Sequence, residues 1–198
     1  MSKKKRNIRV KIKQNEKRFD HKIEIATQTL DRNINFITSC DNKTSVVLTA
    51  VGVLLTIILT NEGLIQIYDI TKRCIATKNF CNILYLICFI LSGLTMLIGV
   101  FKLIGVLIAR TKQNSITAGD TPSRIFFIGI KKSGDCNSYK EKFHEMSKED
   151  LLNDLIEQIY INADIASIKY KNYNLGLKCM MIGFVLFIFF LLIGIYIY

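Results

Sequence analysis

NFCNILYLICFILSGLTMLIGVF, Asn79–Phe101, carries no charge between Lys78 and Lys102, and the chain stays apolar after Lys102 as far as Ala109. A hydrocarbon core of about 30 Å is crossed by about 20 apolar residues in helical form, so this run is long enough to span a bilayer. Two further runs share the property. Thr44–Asn61 is uncharged between Lys43 and Glu62, and Cys179–Tyr198 follows Lys178 without a charge. A chain of 198 residues cannot bury three such runs in a soluble core. The sequence therefore predicts an all-α membrane protein with three transmembrane helices, at residues 44–61, 82–109 and 176–198.

Charge then sets the expected orientation. The net charge is +11, with twelve Lys and Arg in Met1–Lys43 and ten in Arg110–Leu177, against three in the segment between the first two spans. Membrane proteins keep excess basic residues on the cytoplasmic side, which predicts an inside N-terminus, an outer loop at 62–81 and an inside loop after the second span. The opening residues MSKKKRNIRVKIKQNEKR have neither an apolar core nor a small-residue cleavage site, so the first span is expected to serve as an uncleaved anchor. No aromatic-interleaved basic platform accompanies the charge, which argues against a nucleic-acid partner. Anionic lipid is the expected partner of the tail.

The polar segments divide by periodicity. Residues 1–18 alternate basic and apolar without a helical stripe and read as a disordered basic tail. From Phe19 the stripe Phe19, Ile23, Ala26, Leu30, Ile34, Ile37 predicts an amphipathic helix over 19–43, with no Pro or Gly to stop it before the first span. Residues 110–146 read as a loop with short elements. Thr111–Thr121 is a polar turn next to Pro122, the one proline. Arg124–Ile130 (RIFFIGI) is either a short strand or a segment lying on the membrane, and Ser138–Met146 is a short helix. Ser147-Lys148-Glu149-Asp150 has the form of an N-cap with an acidic residue at its fourth position. It opens a second amphipathic helix over 147–175, striped by Leu152, Leu155, Ile159, Asn162, Ala166, Tyr170 and Tyr173. Both stripes need partners, met by each other in a small cytoplasmic bundle or by a neighbouring subunit, and a homo-oligomer is expected.

No catalytic constellation, P-loop or metal-ligand spacing is present, so no enzyme activity, metal or cofactor is expected. Six cysteines show no metal pattern; Cys74 and Cys81 share the outer loop and are either a disulfide or two free thiols. Lys102 is expected to snorkel to the headgroups. Ser92, Gly93, Gly99 and Gly105 would permit close helix approach. Asp41-Asn42-Lys43 sets three polar residues at the membrane edge, either as an interface cap or as a ring that binds a ligand. Asn162 is the polar residue on the second stripe, where it can fix register.

Two stretches together resemble a known family. Asp41-Asn42-Lys43-Thr44-Ser45 followed by VVLTAVGVLLTIIL resembles the D-N-K-A-S lead-in to the first span of PycTM-type Pycsar effectors, with Thr44 where Ala is usual. RIFFIGI, then SYKEKFHEMSKEDLLNDLIEQIY, Ile165-Ala166 and Lys169-Tyr170, is similar to that family's second block. The resemblance covers roughly residues 20–198. It implies an effector of bacterial anti-phage defence in the inner membrane, which impairs membrane integrity when a cyclase makes cyclic CMP or cyclic UMP. A cyclic-nucleotide-binding β-barrel needs over about a hundred residues and does not fit within Arg110–Lys178. A nucleotide would have to bind the small helical face, and the basic or hydrogen-bonding residues nominated for it are Asn42, Lys43, Arg124, Gln158 and Tyr160. The rival expectation is a structural or adaptor membrane protein whose cytoplasmic helices recruit a partner without forming a pore.

Overall fold

The computed structural model describes residues 2–77, 79–109 and 123–197, with side chains of the first helix from Gln14 on. Six helices follow in order: α1 (Ser2–Ile58), α2 (Asn61–Thr77), α3 (Phe80–Leu107), α4 (Phe127–Lys132), α5 (Cys136–His144) and α6 (Lys148–Ile197). No strand occurs among the described residues. Contacts divide the chain into two units, Met1–Ile37 with Arg110–Ser167, and Thr38–Ala109 with Ile168–Tyr198. Helices α1 and α6 contribute to both, and each runs from amphipathic sequence into a span without a break: α1 has no Pro or Gly ahead of its span, and α6 continues through Gly176.

Three expectations need correction. The residues 1–18 read as a disordered tail are helical from Ser2. Lys, Arg, Gln and Glu are good helix formers, and adding residues to an existing helix avoids the cost of nucleation. The outer loop at 62–81 is largely α2. Its stripe of Gly63, Ile67, Ile70 and Cys74 turns inward at spacings of four and three, and the Thr60 hydroxyl accepts the Gly63 amide at 3.3 Å. Gly63 is required there, because a Cβ would lie 2.1 Å from the Ile58 carbonyl oxygen. The strand reading of Arg124–Ile130 also fails. Residues 124–126 bend and α4 begins at Phe127. The expected turn at Thr111–Thr121 lies outside the described residues.

In the first unit, α1 and α6 pack through Ala26, Leu152 and Leu155, bordered by Phe19, Ile23, Leu30, Ile125 and Ile159. Each large side chain buried this way contributes about 1.5–3 kcal/mol. Phe19, Ala26 and Asn33 recur every seven residues on the inward face, so Asn33 rather than Ile34 lies on the inner stripe. Ile34 is 44% exposed, while the Asn33 amide donates to the Ile159 carbonyl at 3.1 Å. Ser147 and Asp150 form the expected cap: the Ser147 Oγ accepts the Asp150 amide at 3.1 Å, and the Asp150 carboxylate accepts the Ser147 amide at 3.0 Å. These bonds from Ser147, with Arg124 nearby, hold the Asp150 carboxyl below its ordinary pKa.

In the second unit the three spans expose aliphatic and aromatic side chains, among them Ile83, Ile90 and Phe101 of α3 and Val185, Phe189 and Leu192 of α6. Among the described residues, three helices, α1, α3 and α6, are long and apolar enough to cross a membrane. Water could not solvate such a surface, so the chain is a multi-pass membrane protein. Backbone contact holds α3 to α6. A Cβ on Gly99 would lie 2.3 Å from the Met180 nitrogen, and one on Gly183 2.4 Å from the Met96 nitrogen. Gly93 and Gly105 do not share this role, since Gly93 meets only the Phe187 ring at 3.8 Å and Gly105 has nothing within 4 Å. Nearer the end of α6, the Tyr85 hydroxyl donates to the Phe190 carbonyl at 2.6 Å, and the Phe89 and Phe187 rings stack at 4.9 Å. All six cysteines are free, with Cys74 buried and Cys81 exposed.

Candidate functional site

Each unit holds a cluster of part-buried polar groups among its described residues. In the first, the bend before α4 is fastened to α6 by one carboxylate. Asp154 Oδ2 accepts the backbone amides of Arg124 at 2.7 Å and Ile125 at 3.2 Å. The Ser123 hydroxyl accepts the Phe126 amide at 3.0 Å, and the Tyr139 hydroxyl donates to the Arg124 carbonyl at 3.0 Å. Gly129 allows the bend, for a Cβ there would lie 2.0 Å from the Ser123 carbonyl oxygen.

The Arg124 side chain thereby lies along α6, with Nη1 3.7 Å from Asp150 Oδ2, too long for a hydrogen bond. Asp150, Asp154 and Gln158 are spaced four residues apart, so they rise one above another on the same face. Arg124 Nη1, Asp154 Oδ1 and Gln158 Oε1 are all buried without a hydrogen-bond partner, and Gln158 is only 4% exposed. A buried polar atom left unpaired costs about 1–3 kcal/mol, so this strip of one donor and two acceptors suits a polar ligand or ordered water. It holds no nucleophile paired with a base, and no group of three His, Cys, Asp or Glu that could hold a metal occurs among the described residues.

In the second unit, Lys169 of α6 places Nζ 2.6 and 2.8 Å from the two carboxylate oxygens of Asp41 on α1. Lys169 is 4% exposed. Beside the pair, Cys40 and Thr44 are fully buried, and the Thr44 hydroxyl donates back to the Cys40 carbonyl at 2.8 Å. The apolar packing of Val51, Met96, Leu103 and Met180, bordered by Val47 and Tyr173, continues the seam.

Of the five nominated residues, Arg124 and Gln158 join the strip of the first unit. Tyr160 is 62% exposed, because two residues along a helix turn it away from Gln158. Asn42 and Lys43 belong to the second unit and are exposed. Asp154 and Lys169 went unnominated, and Asp41 was read only as part of the Asp41-Asn42-Lys43 membrane edge, although a signal for Lys169 was available. Leu155, Asn162, Lys169, Gly176 and Gly183 recur every seven residues, the period of a packed helical seam. The apolar stripe through Ala166 and Tyr170 drifts off it.

The two motifs that carry the family resemblance meet in this pair, for Asp41 opens D-N-K and Lys169 opens K-Y. The family model of the Pycsar effector protein domain, PycTM, matches residues 25–195. The chain belongs to the PycTM family of Pycsar effector proteins. Pycsar effector protein GmPycTM from Gulbenkiania mobilis is 31% identical over 183 residues, covering 83% of this chain and 89% of the relative. No solved structure matches the chain significantly. The PycTM match takes in both polar sites and all three spans, and leaves out the most basic part of α1.

Proposed function

We propose that this PycTM-family protein is an anti-phage effector that impairs the bacterial inner membrane when a cyclic pyrimidine nucleotide, cyclic CMP or cyclic UMP, reaches it. Family membership across residues 25–195, on a chain with three spans, is the observation that carries this reading. The excess of Lys and Arg in the N-terminal segment and in the second long segment supports a cytoplasmic N-terminus and first unit. The protein acts without enzymatic chemistry, as a homo-oligomer, and takes no cofactor.

The strip on α6 is the site we assign to the nucleotide. Arg124 supplies charge for the phosphate, and Gln158 and Asp154 supply acceptors for the donor groups of a pyrimidine edge. Asn42, Lys43 and Tyr160 fall outside that assignment. The test is expression beside a pyrimidine nucleotide cyclase, reading dye entry into cells. Wild type should admit dye only when the cyclase is active. Arg124→Ala and Gln158→Ala should reach the membrane in normal amounts and admit none. Dye entry by both variants at wild-type nucleotide levels would remove the site.

A second reading has an observation of its own. Ile25 and Phe36 of α1 and Ile156 of α6 are each about half exposed in the first unit, a surface suited to a protein partner. An adaptor that recruits through that surface would leave the membrane sealed with the cyclase active, which the same dye measurement detects.

A further inference from the structure

Most of the seam between α1 and α6 in the second unit is apolar, and among its described residues it contains an ion pair between the buried Lys169 and Asp41, whose side chain is one-third exposed. Lys169 and Asp41 lie within the first turn that each helix gives to that unit, which begins at Thr38 on α1 and Ile168 on α6. Both carboxylate oxygens contact the ammonium group, and Cys40 and Thr44 alongside are closed off completely. Apolar residues of the same volume would hold such a seam at least as firmly, because desolvating two charges offsets most of their attraction. What an ion pair adds is a second favourable condition. Separated and hydrated, Lys and Asp are each stable, whereas leucines parted towards water are not. The pair therefore gives the seam a hydrated alternative to being closed.

We infer that the Asp41–Lys169 pair is a latch that keeps the first and third spans closed at this end, and that its parting is the step by which the spans open. The inference rests on the membrane-impairing reading for its consequence, and not for the opening itself. Cys40 reports the opening independently. It is fully buried and free while the latch is shut, and becomes reachable when the helices part.

The experiment uses the full chain in cell membranes with a membrane-permeant maleimide, following modification of the Cys40 peptide by mass spectrometry, with dye entry read in parallel. Asp41→Asn and Lys169→Gln should each be modified at Cys40 about tenfold faster than wild type without any cyclase, because the first leaves the buried ammonium and the second the part-exposed carboxylate without its counter-charge, and either is better hydrated with the helices apart. The reciprocal exchange Asp41→Lys with Lys169→Asp should restore slow modification. The double variant Asp41→Leu with Lys169→Met has no charge to hydrate. It should insert normally, stay protected at Cys40 and fail to open when the cyclase is active.

Single variants modified as slowly as wild type would overturn the latch. Should the single variants not accumulate, the doubly apolar protein still decides the matter, for opening like wild type with the cyclase active would overturn it equally. Fast Cys40 modification without dye entry, in variants and in cyclase-activated wild type alike, would uphold the latch and sink the membrane-impairing reading.

Discussion

Helices α1 and α6 meet twice, and the two meetings obey different rules. In the first unit they join through Leu152, Leu155, Ala26 and Phe19, ordinary apolar side chains whose removal from water supplies the drive. In the second unit the same helices, with α3, lie among residues that face lipid, where burying another leucine gains little. There the spans rely on backbone contact at Gly99 and Gly183 and on polar bonds at Asp41–Lys169 and Tyr85–Phe190. One helix can therefore carry a wide apolar stripe at one end and a narrow seam of lysine and glycine at the other.

The comparison breaks first at glycine. Gly183→Leu forces a side chain into the Met96 backbone, which no rotamer change relieves, so the loss should exceed the about 1–3 kcal/mol usual for overpacking. The expected outcome is loss of the folded protein from detergent extracts, read by gel filtration. Gly105→Leu, where space is open, should be tolerated.

Truncation in the first unit comes next. Leu155→Ala should cost about 2–4 kcal/mol, seen as faster amide exchange around Ala26 and Leu152, with the spans unaffected. An equal effect of Leu155→Ala and of an apolar truncation facing lipid, such as Ile90→Ala, would erase the distinction between the units.

Single hydrogen bonds give a smaller effect. Asn33→Ala removes the bond to the Ile159 carbonyl and should cost about 1 kcal/mol, while Ile34→Ala on the exposed side should cost less. Amide exchange at both positions ranks them.

The smallest effect is at the α6 cap. The Asp150 carboxyl titrates below its ordinary range because its ionised form accepts the Ser147 bonds. Its contribution is therefore fully present above the ordinary carboxylate pKa and is lost as the pH falls through the lowered value. Acidification to that range should fray the first turn of α6, read by amide exchange at Leu151, and Asp150→Asn should flatten the dependence.

Most of the architecture was legible in the sequence because length and composition decide it. Three uncharged runs have no other home, and the Ser147–Asp150 cap is a local device that four adjacent residues specify. What escaped depends on partners far along the chain. A lysine on an apolar stripe is discarded by a reader who weighs the cost of burying it alone. Lys169 is acceptable only because Asp41, 128 residues away, completes it. Asn33 displaces Ile34 for the same kind of reason, its bond being to Ile159 on another helix. The α6 strip was half legible. Arg124 and Gln158 stand out by residue type, whereas Asp154 is hidden among the polar residues of a solvated-looking segment until its bonds to the α4 bend are seen.

A cyclic pyrimidine nucleotide should act on this protein directly to breach a bilayer. Purified protein in liposomes loaded with a self-quenched dye tests that without other cellular components. Cyclic CMP or cyclic UMP should release the dye from vesicles carrying wild type, the linear monophosphates should not, and Arg124→Ala vesicles should stay sealed. Vesicles that leak equally with and without the cyclic nucleotide, or that never leak, would contradict it.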